Sequence, residues 1–286
     1  MALPAIFHTV DTIRPAVVEA RQKGRRIGLV PTMGALHAGH ARLIQTARSE
    51  CDEVVVTIFV NPTQFGPKED FDRYPRTFQQ DVALCAREGV SFVFAPETSE
   101  MYPPDFRTFV TVEDWDKVLC GASRPGHFRG VCTIVLKLFL AIPADVAYFG
   151  QKDAQQWLII NRMVRDLNVP ITVRSVETVR EPDGLALSSR NRYLLPSERE
   201  KAPVIYRALQ EARSRIEAGE RNPDTIEQLV KDVIATVPEM HLDYAAVVSI
   251  DTLTRPTHLS GSVLIAVAAF IGTTRLIDNV IVKVSN

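Results

Sequence analysis

Cysteine is scarce in this chain of 286 residues: four, Cys51, Cys85, Cys120 and Cys132, with no C-x-x-C pair among them. That spacing excludes a zinc knuckle or a thioredoxin-like motif and suits reduced, buried thiols in a reducing compartment. An excess of charge of either sign is missing: 33 Lys and Arg stand against 34 Asp and Glu, net -1. A wholly basic nucleic-acid surface and a dominant acidic tail are excluded, whereas a local basic site is not. Long apolar runs are missing too. The longest, Val263 to Ile271, is nine residues, too short to span a bilayer. Met1-Ala2-Leu3-Pro4 lacks the basic start and apolar stretch of a secretory signal. No internal repeat or low-complexity segment stands out. The expectation is a soluble cytoplasmic protein with neither a membrane nor a nucleic-acid partner.

What is present is ordinary globular composition, 46% hydrophobic and 23% charged. A chain of this length buries about three quarters of its unfolded surface and divides, at roughly 150 residues each, into about two domains. Two thirds of it alternates strand and helix. Arg26 to Val30 reads as the first strand, followed by a Gly-containing turn and a helix through Leu43, Ile44 and Ala47. Val54 to Val60 is a continuous apolar strand of the kind found in parallel sheets covered on both faces. After a polar loop at 61–76 come a helix near 77–88, a strand at 91–94, a short strand at 108–112, a helix at 130–140, a strand at 145–149, a helix at 153–167 and a strand at 171–176. This rhythm predicts an α/β fold, a doubly wound parallel sheet with right-handed crossovers. It breaks near 176–182. Ser197 and Glu200 resemble a capping box for a helix to about 218, Pro223 opens another to about 236, and strands follow at 243–250, 262–271 and 275–284. The second part reads as a smaller α+β domain.

The chemistry concentrates where strands end. Pro31-Thr32-Met33-Gly34-Ala35-Leu36-His37-Ala38-Gly39-His40 joins the 26–30 strand to the next helix. Open α/β sheets bind ligands at the carboxyl ends of their strands, and a helix N-terminus favours phosphate. Gly34 and Gly39 allow close backbone approach, and His37 and His40, three apart, face one side. One histidine alone is more simply structural; a pair at a strand-to-helix turn favours phosphate contact. His-x-Gly-His is the signature of adenylyl-transferring nucleotidylyltransferases and class I aminoacyl-tRNA synthetases. Leu187-Ser188-Ser189-Arg190 offers two hydroxyls and a guanidinium for a mobile phosphate clamp, although on those four residues alone an ordinary Ser-rich loop is the simpler account. In Phe149-Gly150-Gln151-Lys152-Asp153, Lys152 is a point charge for phosphate and Asp153 either caps a helix or holds a ribose hydroxyl. Trp115 and Trp157 read as core, and His8, His241 and His258 have no evident partner.

Taken together these motifs resemble the pantothenate synthetase (pantoate–β-alanine ligase) family. The likeness rests also on Phe-Val-Asn-Pro-x-Gln-Phe at 59–65, Tyr74-Pro75-Arg76, Arg124 to Gly130 and Arg275-Leu276-Ile277-Asp278-Asn279, so it spans residues 30 to 279. The resemblance implies a Rossmann-like domain at 1–178 that binds nucleotide and pantoate, and a C-terminal α+β lid at 179–286. It implies condensation of (R)-pantoate with β-alanine, with ATP and Mg2+, through a bound pantoyl adenylate. His37, His40, Lys152, Ser188, Ser189 and Arg190 then carry the catalysis. Met33 to His40, Gly150 to Asp153, Val179 and Leu187 to Arg190 hold ATP. Gln64 and Gln156 bind pantoate, supported by Asn61, with Phe65 and Val60 as apolar wall. A glutamine on a helix, such as Gln156, is otherwise simply solvated. Asp81 is the protein partner for magnesium, or else a solvated helix carboxylate. Arg124 and His127 match positions near the nucleotide or a dimer contact, and a homodimer is implied. Leu187 stands where some members carry Met, and Gln151 replaces a Glu; neither disturbs the activity implied. A nucleotidylyltransferase that keeps the nucleotide on a phosphorylated acceptor is disfavoured, because Gln64 and Gln156 carry no charge. A non-catalytic nucleotide-binding module is disfavoured by the intact His and Lys set. A tRNA synthetase is disfavoured by near-neutral charge.

Overall fold

Short apolar runs separated by amphipathic helices build the larger part of the molecule. In chain order the elements are β1 (Ala5–Phe7), α1 (Val10–Gln22), β2 (Ile27–Thr32), α2 (Ala38–Glu50), β3 (Glu53–Ile58), α3 (Phe78–Arg87), β4 (Phe92–Phe94), α4 (Thr98–Met101), α5 (Cys120–Ser123), α6 (His127–Ala141), β5 (Val146–Gly150), α7 (Ala154–Asp166) and β6 (Thr172–Val176). They come from a computed structural model that describes residues 3–67 and 69–284; Met1 and Ala2 of the N-terminal reading and Lys68 of the 61–76 loop lie outside the described residues. The chain divides into two compact units: Met1–Lys117, Arg124–Gln151 and Gln155–Glu177 in the first, Val118–Ser123, Lys152–Ala154 and Thr178–Asn286 in the second.

The first unit is a six-stranded sheet in the order β1-β4-β3-β2-β5-β6, every pairing parallel. Val54, Val55 and Val56 of β3 are fully buried, as β-branched residues in a two-sided sheet should be. On one face Leu43, Ile44 and Ala47 of α2 pack with Val30, Val54, Val56 and Tyr148. The strand order reverses at β2. From there the chain winds outward through β3 and β4 on one side and through β5 and β6 on the other, so β2 and β5 flank the topological switch point.

The second unit adds α8 (Pro196–Lys201), α9 (Val204–Glu217), α10 (Pro223–Ala235) and an antiparallel sheet, β7 (Met240–Ser249), β8 (Ser262–Ile271) and β9 (Thr274–Lys283). Ala208, Leu209, Ala212, Ile226 and Val230 share a buried core with Val247, Ile265 and Val267. The overall architecture is thus α/β with a smaller α+β part, as the alternation implied.

Details differ from the sequence reading. The 26–30 strand is not first: β1 and α1 precede it. Residues 108–112 form no strand, because the Val110 N–H donates to the Thr133 hydroxyl (3.0 Å) instead of to a neighbouring backbone. The helix expected at 130–140 begins at His127. The single helix expected to 218 is two, interrupted at Pro203, which has no N–H to continue the ladder. Its cap is not the Ser197–Glu200 box; Glu198 accepts from the Leu195 N–H (2.9 Å).

Candidate active site

The loop after β2 is built by two residues in left-handed backbone, Gly34 (φ +82°) and Ala35 (φ +50°). A Cβ at Gly34 would sit 3.0 Å from the Asp81 carboxylate and 3.1 Å from Ile58, so glycine is required there twice over. The loop N–H groups are consumed internally: Gly34 donates to the Thr32 hydroxyl (3.1 Å), Ala35 and Leu36 to Asp81 (3.0 and 2.8 Å). His37 is the N-cap of α2, and its Nδ1 accepts from the Gly39 N–H (3.1 Å). A Cβ on residue 39 would meet the His37 ring at 2.9 Å, which accounts for the glycine in His-x-Gly-His. The His37 N–H in turn donates to Nδ1 of His40 (3.2 Å). Backbone N–H groups can only donate, so both Nδ1 atoms carry lone pairs and both ring protons sit on Nε2. The rings lie 4.2 Å apart between centroids.

Asn61 is buried and organises the turn that follows β3. Its Oδ1 accepts from the Thr63 hydroxyl (2.9 Å) and the Tyr102 hydroxyl (2.9 Å). Burial pushes the Tyr102 phenol up, against a smaller opposing pull from Thr63, so Tyr102 remains a donor. Asn61 Nδ2 donates to the Gly130 carbonyl (3.1 Å) and to Gln64 Oε1 (3.0 Å). With its oxygen so engaged, the Gln64 amide turns its NH2 toward the loop after β2, where it reaches Met33 Sδ at 3.0 Å. Asn61 thus orients Gln64. The Gln64 carbonyl is held as well: it accepts from His127 Nδ1 (2.8 Å) and Arg124 Nη2 (3.3 Å). Arg124 is bidentate on Glu69 (2.7 and 2.5 Å). Arg124 and His127, expected near nucleotide or a dimer contact, fix the Gln64 turn in this structure.

Gly150 ends β5, which lies next to β2 in the sheet, and Gln151 opens the 3-10 turn that follows. Gln156 is half-buried in the first turn of α7, while its neighbour Gln155 is buried and donates to the Trp115 carbonyl (3.0 Å). Trp115 and Trp157, expected in the core, are only partly buried. Asp81, expected to be either a partner for magnesium or a solvated helix carboxylate, is not solvated: it is buried, and its oxygens accept from the Ala35 and Leu36 N–H groups and the Thr77 hydroxyl (3.1 Å). Among the described residues no three His, Cys, Asp or Glu group so as to hold a metal.

The second unit carries the remaining candidates. Lys152 lies 3.8 Å from Asp153, and its carbonyl accepts from Asn279 Nδ2 (2.9 Å). The Leu187 N–H donates to the Val179 carbonyl (3.0 Å), closing the turn that presents Ser188, Ser189 and Arg190. Ser188 Oγ accepts from the Arg190 N–H (3.2 Å) and caps the 3-10 turn Ser189–Tyr193. Beneath it, Arg180 is bidentate on buried Asp278 (2.5 and 2.9 Å) and stacks on Tyr206 at 3.9 Å. Sequence reasoning did not single out Glu69, Tyr102 or Arg180, and assigned Asp278 and Asn279 no role. The Arg275 to Asn279 motif was the one signal pointing there.

The family model for Pantoate-beta-alanine ligase matches residues 5–281. A pantothenate synthetase of Moorella thermoacetica is 52% identical over 98% of this chain and 99% of its own. The crystal structure of pantothenate synthetase from Thermus thermophilus superposes with a TM-score of 0.92 at 45% identity, covering 99% of this chain and 100% of that one. A pantoate-beta-alanine ligase from Francisella tularensis, crystallised with beta-gamma ATP and beta-alanine, gives 0.79 at 33%, covering 97% of each chain. Since family model, relatives and solved structures all match over nearly its whole length, the chain belongs to the pantoate-beta-alanine ligase family.

Proposed function

We propose that this chain condenses (R)-pantoate with β-alanine, consuming ATP and releasing AMP and pyrophosphate. In the first half-reaction a pantoate carboxylate oxygen attacks the α-phosphorus and pyrophosphate leaves, giving pantoyl adenylate. In the second the β-alanine amine attacks the acyl carbon, the bond to the phosphate oxygen breaks, and AMP departs. A carboxylate is already ionised, so the first half needs no base. It needs in-line positioning and donors where negative charge develops. The observation that carries the reading is the histidine pair, whose Nδ1 acceptors leave both ring protons on Nε2, at the carboxyl end of the strand beside the switch point. Imidazole N–H groups can donate to phosphate oxygens.

In this reading His37 and His40 donate to the phosphates, with His37 following the departing pyrophosphate. Lys152, Ser188, Ser189 and Arg190 supply further donors. Met33 to His40, Gly150 to Asp153, Val179 and Leu187 bind the rest of ATP. Gln64, through its NH2, and Gln156 bind pantoate. Mg2+, which the family resemblance implies, would supply positive charge to the ATP phosphates. A homodimeric, cytoplasmic enzyme is the form the family resemblance supports. No helix among the described residues is long and apolar enough to cross a membrane.

The test follows pyrophosphate from ATP with pantoate alone, then AMP when β-alanine is added. Pyrophosphate release that ignores pantoate would overturn the assignment. His37→Ala is expected to lower turnover by about 100-fold or more, as loss of a transition-state donor does. A near-normal rate removes His37 from the mechanism.

A further inference from the structure

Asp81 is buried in the first turn of α3, a region with no evident need for charge. An interior carboxylate persists only when its lone pairs are satisfied. Here the Ala35 N–H, the Leu36 N–H and the Thr77 hydroxyl satisfy them. The two N–H groups are consecutive, and they converge on one carboxylate because Gly34 and Ala35 are both left-handed. Glycine adopts that backbone freely, but alanine does not. Ala35 stays there because leaving would strip hydrogen bonds from a buried charge, which is the costlier change. The next residue but one is His37, whose capping geometry sets the position of both imidazoles. From this we infer that Asp81 is the positioning residue for the His37–His40 pair, acting through the Ala35–Leu36 backbone and not as a metal ligand. The inference rests on the proposed reading that these histidines face ATP.

The test is Asp81→Asn, whose amide keeps the shape but replaces one acceptor oxygen by a donor. Nitrogen-15 NMR of histidine-labelled protein reads the tautomers with no dependence on activity. The wild type is expected to show His37 and His40 protonated on Nε2, and the variant to show mixed tautomers at both. Pyrophosphate release is expected to fall roughly 10- to 100-fold in kcat, in line with a small misplacement of donors, with the KM for pantoate held within about twofold. Raising Mg2+ tenfold is expected to restore nothing. Adding Ala35→Gly to Asp81→Asn removes the alanine's resistance to the left-handed turn and is expected to recover part of the rate. Thr77→Val replaces the hydroxyl by a methyl of similar size, removing one donor to Asp81, and supplies the test where Asp81→Asn does not fold; it is expected to give the same pattern, severalfold in size. Unchanged tautomers, or recovery with Mg2+, would overturn the inference. If the wild type itself releases no pyrophosphate with pantoate, the functional reading fails, while the tautomer measurement still decides the role of Asp81.

Discussion

Gly130 lies in the first turns of α6, where alanine is normally the better residue by about 0.5–1 kcal/mol. In this protein the sign reverses. A Cβ on residue 130 would stand 2.3 Å from the Thr63 carbonyl oxygen, 2.5 Å from its carbon and 2.7 Å from the Gln64 nitrogen. These are backbone atoms and cannot rotate away. The Asn61–Gln64 turn would have to retreat by about 1 Å to reach ordinary contact distance. Overpacking of this kind costs about 1–3 kcal/mol, which outweighs the gain in helix propensity. The retreat also stretches the bond from Asn61 Nδ2 to the Gly130 carbonyl, now 3.1 Å, and that amide orients Gln64. Displacement of a binding group by about 1 Å can cost on the order of 100-fold in rate. For Gly130→Ala we expect a melting temperature lower by a few degrees, at roughly 2–4 °C per kcal/mol. We also expect kcat/KM for pantoate to fall about 10- to 100-fold and the KM for ATP to change little. Calorimetry and pyrophosphate-release kinetics read the two effects separately. A variant that melts higher than wild type and keeps its pantoate KM would refute the reasoning, because helix propensity would then have won over a clash with backbone.

Two titration predictions follow, one from an ion pair and one from burial. Burial pushes Glu69 up, but the hydrogen bonds and charge of Arg124 outweigh it and hold the carboxyl below its ordinary 4.5. A depressed folded value contributes stability that is present above about pH 4.5 and lost as pH falls through the folded value, so Glu69→Gln should flatten stability against pH below that point and raise the pantoate KM, as read by chemical denaturation at several pH values. Burial, with the nearby charges of Asp81 and Asp116 respectively, pushes the thiols of Cys85 and Cys132 up to about 12 from 9.0. Their contribution is complete below pH 9.0 and drains away as pH climbs toward 12, and neither should react with a disulfide reagent at pH 8 until denaturant is added; rapid labelling of either in the native protein contradicts the burial argument.

Much of the architecture was readable because it depends on local pattern. The valines of β3 announce a strand buried on both faces, and Ser262 to Ile271 was bounded correctly from its apolar run alone. β1 escaped because three residues with two exposed leave no periodicity to detect, and α1 because it carries Pro15 within it and the side chain of its N-cap Thr9 caps no helix N–H. Residues 108–112 misled because β-branched composition records a preference for extended backbone, whereas a strand also needs a neighbour, and here the N–H of Val110 goes to a side chain.

By itself, the sequence determined the family, the alternating α/β plan and the motif at the strand-to-helix turn, since each is written in residues adjacent along the chain. The tertiary structure alone decided how those residues are held. Asp81 comes to Ala35 from 46 positions away, and His127 comes to Gln64 from 63. Composition and spacing assign a buried carboxylate or a histidine no partner at such separations. Only folding shows that Asp81 accepts from backbone N–H groups and that Asn61 turns the NH2 of Gln64 toward the loop after β2. A hydrogen bond is directional, and its donor is known only once both ends are in place.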